Sequence, residues 1–244
     1  MLSIHKNQSA RQDSNFQSEE QGGGEAVLLE QGAIGYFQTP AFHMLSMSPA
    51  IYWIENFLSN EECDHLIAIS QDKMAQSLVY KDDYSPLEET GVRSSKSAHL
   101  PMGYDYTIKV IEARIASTTR LPLEFGEPFQ VLNYQLGQEY KQHHDFFDPL
   151  NPGGAKVIEM TGQRIATMLL YLNDVPKGGE TFFPVLNLQI PPKKGCALLF
   201  YNIHSNGIPD MNTLHASLPV LEGEKWLATK WIHDRACGNY QLPQ

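Results

Sequence analysis

Cysteine is scarce: Cys63, Cys196 and Cys237 are an odd number, widely spaced and without a CxxC pair. That spacing argues against a disulfide framework, a zinc ribbon or a dithiol redox motif, and three lone thiols suit a reducing compartment. No apolar run reaches the length of a membrane span, and the opening residues MLSIHKNQSARQD lack the apolar segment of a secretory leader. The expectation is a cytoplasmic protein with no membrane contact. Basic residues are also few, with 18 Lys and Arg against 28 Asp and Glu and a net charge of -10. This balance repels phosphate backbones, and no local basic patch offsets it, so nucleic acid is excluded as a bulk partner. Internal repeats are absent too, which removes solenoids and propellers.

What is present describes an ordinary globule. With 244 residues, 42% of them apolar and 19% charged, the chain suits one domain of the larger β-rich kind plus an appendage. Residues 1–47 are rich in Gln, Ser, Glu and Gly, have poor hydrophobic periodicity and read as a flexible tail. The ordered domain is expected over residues 48–237, followed by a short tail at 238–244. From Ala50 the run AIYWIENFLS reads as a strand. A helix then starts at the capping box of Ser59 and Glu62, with Cys63, Leu66, Ile67 and Ser70 at helical spacing. Residues 80–100 read as a long loop, and a second helix over about 105–117 carries Ile108, Ile111 and Ile115 on one face. From Gln130 onward, short strands alternate with Gly and Pro turns. The expected fold class is therefore mainly β with flanking α-helices, a barrel or jelly roll with a mouth for a ligand.

The chemistry concentrates in YQLGQEYKQHHDFFDP, residues 134–149. Read as a strand, its HHDFF run puts His143 and Asp145 on one face and His144 on the other. A third metal ligand is offered by His215, ten residues before Lys225. Two histidines and one carboxylate with open positions form the facial triad of non-haem Fe(II) oxygenases. His204 competes with His215, but it lies in a Ser, Asn and Gly loop with no basic residue ten positions on.

Four stretches then carry a resemblance: YQLGQEYKQHHDFFD, GQRIATMLLYLNDVPKGGETFFP, PPKKGCALLFYN and LHASLPVLEGEKWLATKWIHDR. In that order, over about residues 50–236, they resemble the prolyl 4-hydroxylase family of Fe(II)- and 2-oxoglutarate-dependent dioxygenases. The resemblance implies a double-stranded β-helix core and hydroxylation of prolyl residues at carbon 4, coupled to decarboxylation of 2-oxoglutarate to succinate. It implies O2 as oxidant, ascorbate as reductant and a proline-containing peptide or protein as substrate. It makes His143, Asp145 and His215 the iron ligands. Lys225 takes the distal carboxylate of 2-oxoglutarate, with Tyr134 and Thr181 as further contacts to that cosubstrate. Tyr140 and Trp231 are the implied faces for a proline ring, Glu127, Arg164 and His233 the implied partners of the peptide backbone, and Arg93 part of a segment closing over substrate. Two other readings stand beside this one: an oxygenase of the same fold acting on a free amino acid or small molecule, and a non-catalytic peptide-binding barrel.

Overall fold

The computed structural model of the protein describes residues 39–77, 79–80, 86–87 and 92–237. Residues 1–38 of the tail expected at 1–47, the segment 88–91 beside Arg93 and the tail at 238–244 lie outside the described residues.

The described chain opens on an antiparallel hairpin of β1 (Ala41–Met47) and β2 (Ala50–Glu55), paired from Ala41 opposite Glu55 to Met47 opposite Ala50 with a register shift between Met44 and Ser46. Residues 41–47, expected within the flexible tail, are thus a paired strand. Most of β1 is exposed on both faces, so it lacks the apolar alternation by which a half-buried strand is read.

Helix α1 (Asn60–Gln71) follows, and its capping box is reciprocal. The Ser59 hydroxyl accepts from Glu62 N–H at 3.2 Å, and the Glu62 carboxylate accepts from Ser59 N–H at 2.9 Å. Ser59→Ala is expected to cost about 1 kcal/mol of stability. A lowered urea midpoint with an unchanged denaturant slope would show it.

Three short strands come next, β3 (Ala75–Gln76), β4 (Val79–Tyr80) and β5 (Pro86–Leu87). The expected loop over residues 80–100 is shortened by β5 and by β6 (Lys96–Leu100). Helix α2 (Tyr106–Thr119) is capped by Asp105 and buries Ile108, Ile111 and Ile115, as their spacing requires. Then come β7 (Phe129–Tyr134), β8 (Tyr140–His143) and α3 (Pro152–Thr161). Next are β9 (Arg164–Tyr171), β10 (Lys177–Gly178), β11 (Thr181–Phe183) and β12 (Leu188–Ile190). The last strands are β13 (Ala197–Tyr201), β14 (His215–Ser217), β15 (Val220–Glu222) and β16 (Lys225–His233).

Eight strands form one sheet in the order β1-β2-β13-β9-β16-β7-β6-β3, and four form a second in the order β12-β11-β14-β8. Alternation along the central strands sends one set of side chains toward the helices and the other toward the smaller sheet. Ala166, Met168 and Leu170 of β9 and Ala228 of β16 pack with Leu66, Ile108 and Ile111 of the helices. The opposite parity, with Leu132, Leu169, Leu198 and Leu227, packs with Phe183 and Ile190 of the smaller sheet. The architecture is mainly β with flanking helices, and the layer between the two sheets holds the site.

Candidate active site

Register sets the site. His215 opens β14 and lies directly opposite His143, the last residue of β8. Lys225 opens β16 opposite Tyr134, the last residue of β7. Period-2 alternation from Lys225 places Leu227, Thr229 and Trp231 on the same face, and all four line one cleft with His143, Asp145 and His215.

His143, Asp145 and His215 each offer one ligand atom, all within 4.8 Å of one another. His143 Nε2 stands 3.7 Å from Asp145 Oδ1, and His215 Nε2 stands 3.7 Å from Asp145 Oδ2. The tautomers are set by main-chain acceptors. Nδ1 of His143 donates to the Lys141 carbonyl at 2.8 Å and Nδ1 of His215 to the Thr213 carbonyl at 2.9 Å. Each Nε2 is thereby left with its lone pair toward the carboxylate, the arrangement in which imidazole binds a metal. Burial, and then the neighbouring His215, hold the His143 imidazole down at about 3. Burial pushes the Asp145 carboxyl up, but His215, His143 and Arg164 together hold it below its usual range, so it is a carboxylate at neutral pH. Two imidazoles and one carboxylate are the donor set that Fe(II) accepts in a facial triad.

The expected reason for pairing His143 with Asp145 needs correction. Strand β8 ends at His143, so the two are not alternate positions of one strand. Asp145 lies in the following bend, which is pinned from outside: Phe147 N–H donates to Gln163 Oε1 at 2.8 Å, and Gln163 Nε2 donates to the Phe147 carbonyl at 2.7 Å. Thr167 donates to Asp145 Oδ2 at 2.8 Å. His144 turns away and contacts the Met211 carbonyl at 3.1 Å. His204 pairs with Asp210 at 3.5 Å, outside the cluster.

Lys225 is 0% exposed and donates to Ser217 Oγ at 2.8 Å. Burial lowers its pKa to about 7, with Glu180 opposing. Beside it stand Tyr134, whose ring centre is 5.4 Å from Nζ, and Thr181, whose hydroxyl meets Tyr171 Oη at 2.8 Å. Sequence reasoning named Lys225, Tyr134 and Thr181 but missed Ser217 and Tyr171. Strand parity offered both, since Ser217 lies two residues after His215 and Tyr171 shares its face with Thr167.

The expected peptide-contacting residues fall into two groups. Tyr140 stacks on His143 with ring centres 3.6 Å apart, and the Arg93 guanidinium lies 4.7 Å from the Tyr140 ring centre. Arg93 is itself buried and donates to Ser95 Oγ at 3.1 Å and Gln130 Oε1 at 2.9 Å. In the second group, Arg164 donates through Nε to Glu127 Oε1 at 2.5 Å and through Nη2 to Glu127 Oε2 at 2.9 Å. Glu127 Oε1 also meets His233 Nε2 at 2.6 Å. Burial pushes Glu127 up, but Arg164 and His233 overcome it and hold its carboxyl at about 2. Arg164 covers the Trp231 ring at 3.9 Å, while the buried Trp231 Nε1–H has no hydrogen-bond partner among the described residues.

Comparison with known proteins agrees with this donor set. Residues 129–233 match the model of the 2OG-Fe(II) oxygenase superfamily. Probable prolyl 4-hydroxylase 6 of Arabidopsis thaliana is 42% identical over 217 residues, covering 81% of this chain and 74% of the relative. The chain belongs to the prolyl 4-hydroxylase family of 2OG-Fe(II) oxygenases. Prolyl 4-hydroxylase 5 of the same plant is 39% identical over 210 residues, covering 78% of this chain and 70% of that one. Among solved structures, the viral collagen prolyl hydroxylase of Paramecium bursaria Chlorella virus-1, in its 2OG complex, superposes with a TM-score of 0.58. It is 30% identical and covers 75% of this chain and 94% of its own. The core of this family member is accordingly the double-stranded β-helix, or jelly roll, of its relatives. Among the described residues no helix is long and apolar enough to cross a membrane.

Proposed function

We propose that this chain hydroxylates prolyl residues at carbon 4 in a peptide or protein, using Fe(II), 2-oxoglutarate and O2, with ascorbate maintaining the reduced metal. The observation that carries the reading is the coincidence, in one cleft, of the His143, Asp145 and His215 donor set with the buried cation Lys225. A triad alone serves many metals. A triad with a lysine ammonium at the base of the same pocket suits a dicarboxylate that reaches both.

Bound Fe(II) with its cosubstrate and O2 supplies the oxidising chemistry, which places one oxygen atom in the proline ring and the other in succinate. The protein's part is placement. His143, Asp145 and His215 would hold the metal. Lys225, supported by Tyr134, Thr181 and Ser217, would hold the distal carboxylate of 2-oxoglutarate. Tyr140 and Trp231 offer flat faces at the mouth for a proline ring. Glu127, Arg164 and His233 satisfy one another, so in this reading they brace Trp231 and the rim and add peptide contacts through their remaining capacity. Arg93 anchors the approach to the mouth. A cytoplasmic setting completes the proposal, supported by three cysteines that are all unpaired.

The test is incubation of the protein with Fe(II), 2-oxoglutarate, ascorbate and proline-containing peptides or free proline, read by mass spectrometry and by amino-acid analysis for the ring position. Gain of one oxygen on peptidyl proline, with stoichiometric succinate, is expected. Oxidation of free proline alone would transfer the chain to the small-molecule oxygenases of the same fold. Peptide binding without succinate would make it a non-catalytic barrel.

A further inference from the structure

Asp145 is the one charged member of the triad, and one of its two oxygens is already committed to the protein. Thr167, inside β9, donates its hydroxyl to Asp145 Oδ2 at 2.8 Å. Asn202, the residue after β13, donates its Nδ2–H to that same Thr167 oxygen at 2.9 Å. Thr167 and Asn202 are both 0% exposed, so neither exchanges this partner for water.

Donor chemistry gives the chain of bonds one direction. A carboxylate only accepts, so the single Thr167 proton must point to Asp145. The Thr167 oxygen can then only accept, which requires the amide nitrogen of Asn202, not its oxygen, to face it. This orientation is kept although it strands Asn202 Oδ1, a buried acceptor with no partner among the described residues. The main chain holds Asn202 in place: its N–H donates to the Ile165 carbonyl at 2.8 Å, and its carbonyl accepts from Asp210 N–H at 2.9 Å. Asp145 Oδ1, by contrast, accepts no hydrogen bond among the described residues and faces His143 Nε2 at 3.7 Å.

We infer that Asn202 and Thr167 are positioning residues for the metal centre: they bind Asp145 Oδ2 so that the carboxylate cannot rotate, and present Oδ1 as the donor. The inference rests on the metal-binding reading above. Neither residue touches substrate or cosubstrate in this scheme. Their effect is on how well the triad is preorganised before the ion arrives.

The experiment is calorimetric titration of metal-free full-length protein with Co(II) as the probe ion, alongside thermal melts of the metal-free forms. Thr167→Val, which removes the hydroxyl at constant shape, is expected to weaken Co(II) binding by about tenfold or more. Thr167→Ser is expected to restore it. Asn202→Leu leaves the carboxylate contact in place and is expected to weaken binding severalfold, with no further loss when added to Thr167→Val. Asn202→Leu and Thr167→Ser also carry the test if Thr167→Val fails to fold. Equal affinity in wild type and Thr167→Val, or a full additional loss in the double variant, overturns the relay. Wild-type protein that takes up no ion, or that binds it as well after His143→Ala, overturns the metal reading instead.

Discussion

Replacing either His143 or Asp145 by Ala is expected to reduce succinate formation and prolyl hydroxylation by more than about a hundredfold, beyond the loss that follows removal of an outer partner of a metal ligand. Both leave the cluster with two donors. Asp145→Ala does more, because it removes the carboxylate of the triad and the acceptor of the Thr167 hydroxyl. It should therefore be the more damaging of the two. His144→Ala is the matched control: that ring contacts the Met211 carbonyl at 3.1 Å and is absent from the cluster, so activity should stay within severalfold of wild type. Succinate release is measured together with bound iron. Variants at His143 or Asp145 that keep their iron and turn over 2-oxoglutarate at the wild-type rate would remove the ligand assignment.

Lys225→Ala is expected to raise the KM for 2-oxoglutarate by about thirtyfold or more, the lower end of the cost of truncating one partner of a buried charge pair. At saturating cosubstrate the loss in kcat should be much smaller, since the proposed function places Lys225 at the end of the molecule far from the metal. The pH dependence is as informative. Burial places the Lys225 ammonium near a pKa of about 7 in the free protein. The carboxylate binds the charged form, so below pH 7 that form is in place, and above it cosubstrate binding must first take up a proton. Affinity for 2-oxoglutarate should then fall as pH rises above 7, by up to about tenfold per pH unit. The fall should be absent in Lys225→Ala. A flat profile in the wild type would mean that Lys225 stays charged throughout this range.

Much of this was legible before the structure, because local signals and tertiary need coincided. The Ser59 and Glu62 box and the isoleucine face of α2 each state one answer, and each is found. Where the reading failed, the decisive contacts were distant ones. Helix α3 was not anticipated: Gly153 and Gly154 depress its propensity, and it depends on Asn151 accepting from Gly153 N–H at 2.8 Å with Pro152 at the first helical position. Strand β6, reading KSAHL, is set by pairing with β7 and not by its own pattern. At the site, residue types singled out the three side chains that the fold brings together, but for a wrong geometric reason, since Asp145 is aimed by Gln163, Thr167 and the bend after β8. The mutual satisfaction of Glu127, Arg164 and His233 joins residues as much as 106 positions apart and leaves no local trace.

The two sheets divide the site between them. His143, His215, Thr181 and Ser217 belong to the four-stranded sheet, while Lys225, Tyr134, Tyr171 and Thr167 belong to the eight-stranded one. Neither sheet alone is a binding surface. A dicarboxylate reaching from the triad to Lys225 lies across the seam, where the protein's own ties include the Thr181 to Tyr171, Lys225 to Ser217 and Thr167 to Asp145 hydrogen bonds. Such a ligand would bind only the assembled pair of sheets, so its presence should raise the stability of the fold by an amount set by its concentration relative to its Kd.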